Sequence, residues 1–129
     1  MLTLRLRKEK KRSLPGYGKY CADVVHYRTV RTETILDEIQ RSCTLKRSDM
    51  EACLKEFGES LFVHLREGDS VEIKNIGLLK LTVKCIPADT PDDFRVETNV
   101  KSIRCIFRPQ VFLDGRKLYE GIRMKIIRS

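Results

Sequence analysis

With 129 residues, of which 41% are hydrophobic and 34% charged, the chain has the make-up of one globular domain, not of a disordered or fibrous protein. No apolar run approaches the roughly 20 residues of a membrane-spanning helix, and the leucine–arginine alternation at the start is no secretory leader, which points to the cytoplasm. The formal net charge of +8 is segregated: residues 1–31 hold nine Lys/Arg against two acids, residues 101–129 eight against two, and residues 32–100 nine against fourteen.

Leu2, Leu4 and Leu6 alternate with Thr3, Arg5 and Arg7, which predicts a short strand with one apolar face. Lys8 to Arg12 is a basic run, and Ser13 to Gly18 is a loop by its proline and glycines. The run is either a solvated hairpin connection or an arm that reaches phosphates. Tyr20 to Tyr27 is predicted as a second strand, paired with the first. Thr32 is placed as the N-cap of a short helix whose buried stripe is Ile35, Leu36 and Ile39, with Glu33 in its first turn and an end near Ser42.

Met50, Cys53, Leu54, Phe57, Leu61 and Leu65 then recur at three- and four-residue steps, with Glu51, Lys55, Glu56 and Glu59 turned away. This is a long amphipathic helix, stopped at Glu67-Gly68-Asp69, where glycine can take a left-handed turn. Two successive helices suggest a groove-reading pair, but phosphates repel the glutamates on the open face of the second, so that reading is rejected. At its N-terminus Lys46 and Arg47 form either a seat for one phosphate or a solvated basic pair.

From Leu79 to Cys85 the period changes to two, with Lys80, Thr82 and Lys84 on the polar side of a half-buried strand. Ile86 to Asp93 holds two prolines and three aspartates and is predicted as a loop. Val100 to Arg108 returns as a strand, with Ile103, Cys105 and Phe107 pointing one way and Arg104, Ile106 and Arg108 the other. Pro109 ends it. Gln110 to Glu120 is predicted as a short helix closed by Gly121, and Ile122, Met124 and Ile126 against Arg123 and Lys125 as a last strand.

Five cysteines make an odd number and none are spaced as CxxC, so packing outweighs zinc or a disulfide frame; Cys53, Cys85 and Cys105 are expected in the core. His26 and His64 lack ligand-spaced neighbours, and neither a nucleophile–base pair nor a phosphate loop is evident. No metal, cofactor or enzymatic activity is implied. Basic termini around an acidic middle suggest a polyanion partner.

Two helices, Gly68-Asp69-x-Val71, Ile76-Gly77-x-Leu79, and Phe107-Arg108-Pro109 opening a helix occur here in that order. In this the chain resembles the HU/IHF family of bacterial histone-like DNA-binding proteins, and most of all its longer HU-like variants with added terminal strands. The resemblance covers residues 32–120 as an HU-like core, with 1–31 as an N-terminal strand extension and 121–129 as a C-terminal strand of a single domain.

It implies an α+β fold in which two helices pack under a β-sheet with a short C-terminal helix, clasped into an intertwined homodimer. The function implied is architectural binding of double-stranded DNA in the nucleoid, with little sequence preference. Lys80, Lys84, Arg104 and Arg108 fall where family members contact phosphates, and Arg5, Arg7 and the Lys8–Arg12 run would supplement them. The long basic arm of the family, with its Arg-Asn-Pro-x-Thr-Gly tip, is replaced here by the short, acidic stretch 86–99, so wedging between base pairs is not implied. Val111 also stands where many members are basic. Two rivals are a protein-interaction module on an HU scaffold and an RNA-binding protein.

Overall fold

The computed structural model of the chain describes residues 1–111 and 118–127. In order, its elements are β1 (Leu2–Lys8), β2 (Tyr20–Val24), α1 (Thr32–Ser42), α2 (Arg47–Arg66), β3 (Val71–Ile73), β4 (Gly77–Cys85), a 3-10 turn (Pro91–Asp93), α3 (Val96–Asn99), β5 (Val100–Pro109) and β6 (Met124–Ile127). They form two compact units, Met1–Ile39 with Tyr119–Ser129, and Gln40–Leu118.

The first unit carries a three-stranded sheet in the order β2-β1-β6. The predicted hairpin is present: Leu4 faces Val24 and Leu6 faces Ala22 in antiparallel register. Its second strand stops at Val24 instead of Tyr27, although the Val25 amide still donates to the Thr3 carbonyl. The last strand is also present, but it begins at Met124 and pairs in parallel with β1, Leu2 facing Met124 and Leu4 facing Ile126. Leucine alternation therefore collects Leu2, Leu4, Leu6, Val24, Met124 and Ile126 on one side of this sheet.

In α1 the first helical carbonyl is that of Arg31, which accepts from the amides of Thr34 and Ile35. Arg31 is thus the cap, and Thr32 occupies the first helical position, one residue later than expected. Of the predicted stripe Leu36 is buried, while Ile35 and Ile39 remain exposed.

In the second unit α2 ends as its sequence dictates. Gly68 takes φ +92°, its amide donates to the Leu65 carbonyl, and the Asp69 amide donates to the His64 carbonyl. That pair of bonds closes two carbonyls which the helix leaves orphaned. β3, β4 and β5 follow as an antiparallel sheet in chain order. The turn between β3 and β4 is made by Lys74 to Ile76, with Asn75 in the left-handed region at φ +69°. Gly77 then lies so close to β5 that a Cβ there would stand 2.3 Å from the Arg108 carbonyl oxygen and 2.6 Å from the Phe107 ring.

Residues 86–99 are more structured than the predicted loop. Thr90 Oγ1 accepts from the Asp93 amide and caps the 3-10 turn, with Pro91 at its first position. Asn99 fastens the base: its Oδ1 accepts from the Arg95 amide, its Nδ2 donates to the Ile86 carbonyl, and its carbonyl accepts from the Ile86 amide. The helix expected over 110–120 falls mostly on residues 112–117, outside the described residues; Gln110 and Val111 are irregular and 118–121 form a turn.

Among the described residues the buried hydrophobic side chains are Leu36, Met50 and Leu65. All five cysteines are exposed, which corrects the expectation that three of them pack in the core. Their apolar phase is real, but Cys53 lies on the side of α2 that also leaves Leu54 and Phe57 exposed.

Candidate nucleic-acid interface

Residues directly opposite one another in an antiparallel ladder share a face of the sheet. In the β4–β5 pairing Leu78 stands opposite Arg108, Lys80 opposite Ile106, Thr82 opposite Arg104, and Lys84 opposite Ser102. Lys80, Lys84, Arg104 and Arg108 therefore lie on one face, alternating across the two strands. The strand pattern in the sequence decides this, because a slip of one residue would send all four to the other side. Lys84, Arg104 and Arg108 are exposed and Lys80 is half-buried. Among the described residues none of the four is engaged by a carboxylate, and β4 and β5 add no acid to the face.

Two things on this face were not anticipated. β3 contributes Glu72, opposite Leu78, so one edge of the face carries a negative charge. A register shift between Lys84 and Cys85 ends the regular face at Lys84. The opposite face collects Leu79, Leu81 and Val83 against Phe107, Cys105 and Ile103, and it is open: Ile103 is 66% exposed.

The other predicted cations are placed less uniformly. Lys46 is the exposed N-cap residue of α2 and its side chain makes no capping bond. Arg47 is committed to its neighbours, its Nε donating to Glu51 Oε1 at 3.2 Å and a terminal nitrogen to Gln40 Oε1 at 3.4 Å. Arg5 and Arg7 share a face of β1, across from Asp23 and Cys21. Arg7 is held by two carboxylates, Asp23 at 2.7 Å and Glu9 at 3.1 Å, and its guanidinium is accordingly held more firmly protonated than usual.

Glu9 folds back on its own turn. The Lys11 amide and the Arg7 guanidinium both donate to it, which pulls its carboxyl below the usual range. Spacing could not reveal the Arg7 pairing, because Asp23 sits diagonally across the ladder from it.

Comparisons with known proteins bear on the fold and the family. Among solved structures the chain is similar to a crystal structure of a Bacteroides vulgatus ATCC 8482 protein provisionally named a bacterial DNA-binding protein, with a TM-score of 0.59 and 18% identity. The likeness covers 98% of this chain and 48% of that one, so the chain spans about half the length of that neighbour and shares its fold. No curated protein matches. Residues 3–118 match HU-HIG, described as an HU domain fused to a winged helix-turn-helix, Ig or glycine-rich motif. That match takes in most of the chain, both hairpins included, and on it the chain belongs to the HU-HIG family.

Proposed function

We propose that this HU-like protein binds double-stranded DNA without catalysing a reaction on it, resting the cationic face of β4 and β5 on the phosphate backbone. The observation that carries the reading is the ladder register: it sets Lys80, Lys84, Arg104 and Arg108 side by side with no acid on either strand. Contacts of this kind position a protein on a duplex but carry little base information, so low sequence preference follows. Lys46 and Arg5, both exposed, supplement the face; Arg7 and Arg47 contribute less, since carboxylates already hold them.

The binding species is a homodimer. Support comes from apolar surface that one chain leaves open, above all Phe57 and Phe62 on α2 and the Leu81, Val83, Ile103 and Phe107 side of the sheet. Each such side chain gains about 1.5–3 kcal/mol on burial, which favours a second copy over water as its cover.

The test is a salt titration of duplex binding. Two chains neutralising about eight phosphates give a log–log slope near −7, against a flat line if backbone charge plays no part. Reversing two charges, Lys80→Glu with Arg104→Glu, is expected to abolish binding while circular dichroism stays unchanged. Normal binding by that variant would assign the interface to the wrong face. The acidic connection 86–99 favours one rival, a module that docks a protein partner. Failure to shift duplex DNA at low salt would select it.

A further inference from the structure

The connection between β1 and β2 is a second basic surface, built differently from the sheet face. Between Lys8 and Tyr20 stand five cations, Lys8, Lys10, Lys11, Arg12 and Lys19, against the single carboxylate of Glu9. Backbone bonds fix the turn: the Glu9 amide donates to the Lys19 carbonyl, the Gly18 amide to the Glu9 carbonyl, and the Lys19 amide to the Gly16 carbonyl. Gly18 supplies the left-handed residue, at φ +79°, that this closure needs.

Glu9 offsets those cations only in small part. Its side chain is only 13% exposed and is committed to Arg7 and the Lys11 amide. Among the described residues no carboxylate makes a salt bridge to any of the five side chains, and only the Lys11 ammonium feels the Glu9 charge. The contrast with Arg7 in the same hairpin is informative. A structural arginine here is bridged to two acids, whereas none of the five side chains beyond it is bridged to one. Like charges held in one ordered turn repel one another, a standing cost that a polyanion would remove. Lys8, Glu9, Lys10, Tyr17 and Gly18 also line an open cleft at the tip, so two lysines and a tyrosine, donors of the kinds that phosphates accept from, share it with a carboxylate already bonded to Arg7 and the Lys11 amide.

We infer that the β1–β2 tip is a second phosphate-gripping arm for duplex DNA, separate from the β4–β5 face, with Lys10, Lys11 and Arg12 supplying its charge and Lys8, Lys10 and Tyr17 its cleft. This rests on the reading of the protein as a duplex binder. It also gives the chain a basic projection at one hairpin while the connection of the other, 86–99, carries Asp89, Asp92, Asp93 and Glu97 against Arg95 alone.

The experiment uses the full chain and a short mixed-sequence duplex, followed by fluorescence anisotropy across a range of NaCl concentrations. The variant is Lys10→Gln, Lys11→Gln and Arg12→Gln together; these side chains are exposed and make no salt bridge, so circular dichroism should match the parent. The expected result is at least a tenfold loss of affinity at low salt, with the log–log slope shallower by about 0.9 for each phosphate released.

An unchanged slope and affinity in the variant, with the parent binding and the sheet variant silent, would sink the arm and leave the sheet reading standing. No binding by the parent would sink both. A Tyr17→Ala arm separates stacking from charge. If that change cost single-strand binding while the triple variant bound duplex normally, the tip would be a single-strand platform and the duplex assignment would be overturned.

Discussion

β1–β2 and β4–β5 are both antiparallel hairpins with an apolar and a charged face, yet their connections are finished in opposite ways. Residues 9–19 are basic and closed by backbone turns, and their one acid is turned inward. Residues 86–99 are acidic and closed by side chains, with Thr90 capping the 3-10 turn and Asn99 bonding across the base. The difference teaches that one chain can keep opposite charges on two hairpin connections when each is closed by its own bonds. An acidic connection closes one end of the β4–β5 ladder, and a basic one closes the β1–β2 hairpin. Closure by Asn99 also makes 86–99 a poor candidate for a mobile arm, because moving it breaks several hydrogen bonds together.

The severest way to break the comparison is at Gly77. A methyl group there would meet the Arg108 carbonyl at 2.3 Å, and a backbone atom cannot swing aside as a side chain would. Gly77→Ala should cost about 3 kcal/mol, the upper end of ordinary overpacking, because β4 and β5 must part at the point where their register begins. Chemical denaturation reads this directly. Duplex binding should fall with it, since the four-cation face depends on that register, whereas a variant of full stability would show that the close approach of the two strands is not needed. The β1–β2 hairpin, with its own strands and turn, should keep its amide protection in the same variant.

Asn99→Ala is the next step down. It removes three side-chain hydrogen bonds, with the Arg95 amide, the Thr98 hydroxyl and the Ile86 carbonyl, and leaves the Ile86 amide bonded to the Asn99 carbonyl. All three are exposed, so each stands near the lower end of the roughly 0.5–1.5 kcal/mol of a protein hydrogen bond, and about 1.5–2 kcal/mol of stability should be lost. Hydrogen exchange should quicken over 86–99 and hardly at all over 9–19. Equal quickening in both connections would mean that they are not independently closed.

Much of this was legible before any coordinates, and what was missed follows a pattern. The two-residue period of Leu79–Cys85 and of Val100–Arg108 placed four cations on one face because alternation and register are local consequences of backbone geometry. Gly68 announced the end of α2 for the same reason. The parallel pairing of β6 with β1 could not be read, since it joins residues over a hundred positions apart and leaves no periodic trace. α3 and the 3-10 turn escaped because one turn of helix is too short to show a period. The pairing of Arg7 with Asp23 depends on a diagonal across two strands, so a residue counted as free to meet phosphate turned out to be occupied.

That occupied arginine provides the finest way to sharpen the comparison. Hydrogen bonds from the Lys11 amide and Arg7 hold Glu9 below the usual carboxylate range of about 4.5. A depressed folded value means that Glu9 supports the fold above its unfolded pKa, and that this support is lost as pH falls through the folded value. The window therefore lies below about pH 4.5, and above it Glu9 adds no pH dependence. Protonation of Glu9 would also free Arg7 from one of its two acids. Glu9→Gln at neutral pH should imitate this, slackening the 9–19 turn slightly while adding one net positive charge. A small gain in duplex affinity, about twofold, is expected, together with loss of the acid-side pH dependence of exchange at the Lys11 amide. A fall in affinity instead would mean that the ordered turn, and not its bare charge, is what the duplex recognises.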